Sequence, residues 1–420
     1  MQLKPGMLGA AAAALLGAPE AAPAETTWDV DAATLIYSEF GGRITGVEPR
    51  LRASRSLDDS RRLSLGATVD VLVGASPNGA LPADTPQTFS RPSGKDHYTT
   101  RAGELPLDDT FQDSRIALDV GYQQVFDTLR AEATGFISAE YDYLSVAVGG
   151  SLARDFNLRN TTVSIGVNIA QDTLDPVGGP PVGLSVMPAP GQPTGRTVRN
   201  LEKQVHDVLL SLTQVLSPQS LLRLTYSLSH AQGYLTDPYK VLSVVDGQGA
   251  PLRYAYEGRP DRRVKHAAYG QYKRLTAGGN ILNTSARVMR DDWGLHSITL
   301  DLSFRFNFRP DRYLEPHLRL YRQSAADFYR LALFDGEEAQ LRFATADQRL
   351  GRFDAVTLGL KYGGQLRSGS AWNLRLEGYT QLAEATGLPP QAAQALNTRS
   401  IEPELDVVML SAGYRFRWTP

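Results

Sequence analysis

Charged side chains recur two residues apart along this chain. Glu48, Arg50 and Arg52 form one such set, and Arg375 with Glu377 and Arg415 with Arg417 form others, while Glu315 and Arg319 lie four apart on the same face. Asp70, Asp119, Arg130, Glu132, Asp207, Arg223, Lys273, Arg287, Asp301, Arg305 and Lys361 fall on the same polar half of an alternating pattern. Residues two apart on an extended chain share a face, so these charges converge on one surface. Two kinds of chemistry follow. Opposite charges lining a pore set up a transverse field that orients polar solutes. Paired charges can instead fill the same space and stiffen it. The residues leave both readings open. Bases are more frequent late in the chain, so a mild anion preference is expected.

Bond-making chemistry has weaker support. The six histidines are His97, His206, His230, His266, His296 and His317. His296, close to Asp291 and Asp292, is the best candidate for a His–acid pair, and ordinary rim polarity is its simpler reading. No Gly-x-Ser-x-Gly segment supplies a nucleophile beside a base. With Cys 0 there is no disulfide, thiolate metal site or cysteine nucleophile. No two histidines have metal-ligand spacing on one strand or helix. Gly178-Gly179-Pro180-Pro181 lacks the lysine and helix of a phosphate-binding loop. No enzyme, cofactor or metal is expected from these signals.

The elements that must position the charges read as strands. Ile298, Leu300, Leu302, Phe304, Phe306 and Phe308 alternate with Ser297, Thr299, Asp301, Ser303, Arg305 and Asn307. A strand sorts such residues onto two faces, whereas a helix scatters them. Leu222–Ser229, Leu63–Val71, Val163–Ile169 and Trp372–Glu377 repeat the pattern. About sixteen segments of this kind have the roughly 10-residue length of a tilted membrane strand. They begin near Trp28, Ile44, Leu63, Arg115, Leu129, Tyr143, Thr161, Val205, Leu221, Lys265, Ile281, Leu295, Leu314, Phe353, Trp372 and Leu405.

The connections sort by parity. Every even-numbered gap is short, and the long ones (77–112, 172–204, 232–264, 330–351 and 384–404) are all odd. Outer-membrane barrels have this asymmetry of short periplasmic turns and long external loops. Strand edges cannot stay unpaired in lipid, so the sheet must close, with its apolar face outward and its polar face lining the lumen. The expected fold is all-β: a single antiparallel outer-membrane barrel of about sixteen strands over 25–420.

Composition agrees once the alternation is recognised. The 420 residues carry 43 bases and 45 acids, a net charge of −2, which lacks the basic excess of a nucleic-acid binder. A mean hydropathy of −0.26 looks soluble, but it averages two opposite faces. No apolar run is long enough for a membrane-spanning helix. Residues 1–24 read as a secretory signal: Lys4, the apolar block Met7–Ala18, and Ala22-Pro23-Ala24 before a cut at Glu25. The last strand, Leu410 to Trp418, has the pattern that the barrel-assembly machinery recognises. Outer-membrane lipids and that machinery are therefore the expected partners.

Two loop segments stand out. Gly233 to Val245 is unusually apolar for an external loop. Its Tyr234, Asp237, Pro238, Tyr239 and Lys240 are candidates for a plug or constriction, or for a partner surface. A strand extended above the membrane is the simpler expectation. Pro77–Gly94 reads as an ordered external loop, and Asp172–Arg199, rich in Pro and Gly, predicts a flexible one.

Several blocks resemble a known bacterial family, catalogued as domain of unknown function 3570. They are Trp28–Asp31, Gly74–Ala80, Pro86–Phe89, Glu140–Tyr143, Ala153–Asn157, Gly233–Leu242, Arg290–Gly294 and Gln323–Tyr329. The resemblance spans essentially the whole mature chain and implies an outer-membrane barrel of no settled activity. It also implies genes neighbouring those of periplasmic flavin-transfer and thioredoxin-like proteins, which points to envelope redox work. The leading expectation is a passive or gated channel for small polar solutes. A scaffold docking a lipoprotein or periplasmic redox partner is the alternative, and a barrel enzyme the third.

Overall fold

The computed structural model describes residues 27–90, 97–189, 192, 200–397, 401 and 405–420. The leader expected at 1–24 lies outside the described residues. The first third of the chain contributes β1 (Trp28–Glu39), β2 (Thr45–Ser56), β3 (Arg61–Pro77), β4 (Gln87–Ser90), β5 (His97–Thr100), β6 (Leu107–Phe126) and β7 (Leu129–Ala139). Next come β8 (Tyr143–Phe156), β9 (Thr161–Leu174), β10 (Leu201–Ser217), β11 (Ser220–Gly233), β12 (Val241–Val245), β13 (Pro251–Tyr256) and β14 (Arg262–Leu275). The last third adds β15 (Ile281–Asp291), β16 (His296–Arg309), β17 (Arg312–Gln323), β18 (Leu333–Phe334), β19 (Phe353–Gln365), β20 (Ala371–Ala383) and β21 (Leu405–Trp418).

Sixteen of these strands close into one barrel: β1, β2, β3, β6 to β11, β14 to β17, and β19 to β21, each beside its chain neighbour. The seam is antiparallel, β1 on β21, running from Trp28↔Trp418 to Glu39↔Val407. Closure gives every edge a partner, as lipid requires.

Alternation sets the two faces. Ile116, Val148 and Leu358 point outward with 59%, 61% and 62% of their surface exposed, and their strand neighbours do likewise. An apolar belt this continuous is stable only against hydrocarbon. Aromatics gather on the outer face at the end with the short turns. Phe308 stacks on Tyr362, Tyr362 meets Trp372 edge-on at 5.1 Å, and Tyr414 stacks on Phe416. Such a girdle marks a membrane–water interface.

The fourth barrel strand starts at Leu107, earlier than the expected Arg115. β3 and β6 stay paired as far as Pro77↔Leu107, past a register shift between Gly74 and Ser76. That irregularity interrupts the alternation, which is why the extension is illegible in sequence.

At the other end the long loops form a cap. β12 pairs antiparallel with β13 and parallel with β18 in a three-stranded sheet apart from the barrel, and β4 and β5 form a hairpin. The Gly233–Val245 segment is therefore not an extended barrel strand. β11 ends at Gly233, whose φ of 112° turns the chain away; a Cβ there would lie 2.2 Å from the Glu202 carbonyl oxygen. All of Val241–Val245 is buried, so this strand shows no alternation, and its one polar residue, Ser243, accepts from the Leu81 N–H at 2.9 Å.

Apolar residues from several loops fill the cap. Leu81, Val245, Leu331, Ala332, Leu396 and Ile401 form one core, and Leu242, Val244, Ala255, Leu333 and Ala344 another. The expected flexible loop also contributes: Leu184 and Met187 pack on the cap, Val186 bridges to Ala255, and Asp172 belongs to β9. Residues 190–191 and 193–199 of that loop lie outside the described residues. Gly79 (φ 99°) lets the first long loop touch β12, because a Cβ there would sit 2.5 Å from the Val241 carbonyl oxygen.

Candidate functional site

Pairing registers place the charges inside. Asp31 faces Arg52 and Arg415, Glu48 faces Leu35, and Arg50 faces Thr68. Asp70 faces Arg115, Asp119 faces Gly66 and Phe136, Glu132 faces Gln123, and Arg130 faces Ala153. Asp207 faces Asn168 and Ser229, Arg223 faces Gln271, and Lys273 faces Asn283. Arg287 faces Tyr269 and Thr299, Asp301 faces Arg319, Glu315 faces Lys361, and Arg375 faces Lys361 in turn. Arg305, Glu377 and Arg417 continue the polar rows of β16, β20 and β21. All share the face opposite the apolar belt.

Part of this lumen is knitted by ion pairs. Arg115 meets Asp70 at 2.5 Å, Arg305 meets Glu315 at 2.7 Å, Arg319 meets Asp301 at 2.9 Å and Arg415 meets Asp31 at 2.5 Å. Near the cap, Lys203 pairs with Asp172 at 2.5 Å. The remainder is segregated. Among the described residues, Glu48, Asp119, Glu132 and Asp207 have no ion-pair partner, and they sit on β2 to β10. Lys265, Lys273, Arg287 and Lys361 likewise have none, and they sit on β14 to β19. Unbridged acids thus face unbridged bases across the lumen, although Arg50 and Arg52 stand on the acidic side.

His317 is the histidine that sequence reasoning passed over. Its Nδ1 lies 2.7 Å from Glu377 and its Nε2 lies 3.0 Å from Asp301, tying β17 to β20 and β16. Both ring nitrogens are occupied, so neither faces a serine as a general base would. Among the described residues the candidate His296–acid pair is not formed. Asp291 instead receives Arg263 at 2.5 Å and the backbone N–H groups of Trp293 and Leu295, while the Val264 N–H donates to Asp292. Those two carboxylates cap the turn after β15. The signal for His317 was its polar-row position between Glu315 and Arg319.

A cavity of about 1950 Å³ runs through the lumen. Its walls include Arg223, Lys273, Arg287, Arg319 and Arg375, and its roof includes Asp237, Pro238, Tyr239, Lys240, Asp347 and Arg349 from the cap. Four of the plug candidates, Asp237, Pro238, Tyr239 and Lys240, therefore face the lumen, and Tyr234 does not line the cavity. Tyr239 donates to Asp142 and accepts from the Val177 N–H at 3.2 Å, joining three loops. Pro238 is buried and Tyr234 is partly buried. The Lys240 ammonium donates to the Pro77 carbonyl, and the Tyr234 N–H to that of Glu202.

Behind this roof lies a buried ionic cluster. Arg259, with a side chain 1% exposed, holds Glu257 at 2.7 Å and Asp347 at 2.8 Å. Arg349 bridges Asp347 at 2.6 Å and Asp237 at 3.0 Å. Thr345 donates to Glu257, and the Asp237 N–H donates to it at 2.6 Å. Burial alone would raise the Asp347 carboxyl, but Arg349 and Arg259 outweigh it and hold it well below the ordinary carboxylate range. At Glu257 burial dominates and pushes the carboxyl up, against the lowering pull of Arg259. The chain uses this network to fix β13, the loop before the single 3-10 turn Gln348–Leu350, and the entry to β12 in one arrangement.

Fold and site together define an outer-membrane β-barrel with a charged lumen and a packed cap over its long-loop end. The chain belongs to the family described as Protein of unknown function (DUF3570), which matches residues 6–416. No curated protein matches the sequence. Among solved structures, it is similar to a bacterial polysaccharide outer membrane secretin at 8% identity, covering 93% of this chain and 98% of that one, with a TM-score of 0.44. It is similar to the outer membrane protein OprD from Pseudomonas aeruginosa at 8% identity, covering 96% and 97%, with a TM-score of 0.42. It is also similar to the siderophore receptor PirA from Acinetobacter baumannii at 8% identity, covering 94% and 60%, with a TM-score of 0.43.

Proposed function

We propose that this protein is a gated channel for small polar solutes in the outer membrane of a Gram-negative bacterium. The observation that carries the reading is the cavity lined by charged side chains, which extends from the cap roof to the basic residues near the short turns. A sixteen-stranded barrel is wide enough for an aqueous interior. Opposed charge on its two walls would orient a dipolar solute and exclude apolar ones. The cap supplies the gate, because solute entering from outside must pass it. The short turns face the periplasm and the long loops face outward in this reading.

Liposome swelling with small sugars, amino acids and salts tests it. Permeation by any of them, faster when the cap is loosened, is the expected result. A folded barrel that passes none of them, even with the cap loosened, would sink the channel. Co-purification of a stoichiometric lipoprotein or periplasmic redox protein in that case would favour the scaffold reading.

A further inference from the structure

The charges near the short-turn end do not balance. Lys273, Arg305, Lys361, Arg375 and Arg415 project inward from β14, β16, β19, β20 and β21. The carboxylates that meet them are Glu315, Glu377 and Asp31. Glu315 is shared by Arg305 at 2.7 Å and Arg375 at 3.9 Å. Glu377 lies 3.4 Å from Arg375 but is also held by His317, and Asp31 holds Arg415.

Two features show that this is a built arrangement. Lys361 stands directly opposite Arg375 across β19 and β20. Like charges directly opposite each other destabilise a sheet, and Glu315, opposite Lys361 on its other side, offsets only part of this because it also holds Arg305. Arg223 and Lys273 are diagonal neighbours on β11 and β14. Arg305 and Glu315 act electrostatically on both Lys273 and Lys361, which places the two lysines around one centre. Tyr313 forms the floor of that centre, with the Arg305 guanidinium 4.0 Å from its ring centroid and the Lys361 ammonium 5.9 Å from it. Arg305 is thus fixed by a ring and a carboxylate, while neither lysine makes an ion pair among the described residues, the Glu315 opposite Lys361 being engaged by Arg305 at 2.7 Å.

We propose that this girdle is a binding site for solutes carrying two or more oxyanion oxygens, such as phosphate esters or polycarboxylates, and that Lys273 and Lys361 are its principal ligands. The proposal rests on the channel reading for its purpose but not for its test. A multivalent oxyanion would satisfy both ammonium groups at once and relieve the repulsion between Lys361 and Arg375. Low-dielectric walls strengthen that attraction beyond its value in bulk water. Such a site would concentrate anions in the lumen and let them leave by exchange with the next one.

The test is calorimetric titration of the full-length protein, folded in detergent, with pyrophosphate and separately with citrate. Binding of either is expected, and the stronger of the two identifies phosphate or carboxylate as the preferred source. Lys273→Gln with Lys361→Gln should weaken binding by more than about tenfold, since two charge-assisted contacts are lost. Lys273→Arg with Lys361→Arg should retain it, which controls for folding. Glu48→Gln, on the opposite wall, should leave it within about twofold. Absence of binding by both anions, or binding that the double Gln variant leaves unchanged, overturns the proposal. If swelling fails while girdle-dependent binding persists, the channel reading falls and the site stands.

Discussion

Asp347→Asn should release the cap without unfolding the barrel. Asparagine keeps the volume and removes one charge from a cluster of three acids and two bases centred on Arg259. Asp347 receives Arg259 at 2.8 Å and Arg349 at 2.6 Å. Arg259 then keeps Glu257 as its charged partner, and Arg349 keeps Asp237. Removing one partner of a buried ion pair costs about 3–5 kcal/mol. Arg349 has a side chain 40% exposed, so its share is screened and the lower end applies. About 3 kcal/mol corresponds to roughly a hundredfold rise in the cap-open population. Hydrogen exchange followed by mass spectrometry reads this directly. Amides of β12 should exchange about a hundredfold faster in the variant, while those of β16 in the barrel keep their protection. Unchanged exchange in β12 would refute the latch. So would loss of protection in β12 and β16 together, because the cap would then be no separate unit.

Other consequences follow from the same geometry. Leu302→Arg places a charge on the lipid face of β16 and should cost about 2–4 kcal/mol in heat-modifiability or refolding assays, whereas Ser303→Arg, facing the lumen, should assemble normally. Cap stability should depend on pH in two opposed ways. Asp347 is depressed below its ordinary 3.8, so its contribution is present above that value and lost as pH falls through the depressed one. Glu257 is raised above its ordinary 4.5, so its contribution is present below that value and lost as pH rises through the raised one. Exchange of β12 should therefore be slowest in mild acid, and Glu257→Gln should abolish the loss on the alkaline side. Truncation after Ser411 removes the pairs from Ala412↔Thr34 to Trp418↔Trp28 and should prevent barrel closure, read as loss of the heat-modifiable band.

Much of the barrel was legible because its chemistry is local. Ile298 to Phe308 alternate without exception, and a period of two admits one reading. Parity of loop length then fixed which end carries the long connections. The cap was illegible for the opposite reason. Its cores join residues far apart in sequence, such as Leu81, Val245, Leu331 and Leu396, and no periodicity links them. β12 is buried on both faces, so Val241–Val245 looked like a strand without showing which sheet it joins. The buried cluster had a partial signal in Glu257 and Arg259, flanking Gly258, but its partners Asp347 and Arg349 lie in another loop. His317 was hidden by its setting: its two carboxylate partners lie on neighbouring strands, and only pairing brings them together. Placement of the charged rows on one face needed no tertiary knowledge, whereas the split between bridged and unbridged charges depends on strand register.

Planar-bilayer recording of the full-length protein and of Asp347→Asn, with hydrogen exchange confirming that the cap is loosened, tests the central claim most directly. The account predicts discrete conductance steps with a reversal potential favouring anions, and a higher open probability in the variant. A folded barrel with a loosened cap and no conductance in either protein would contradict it.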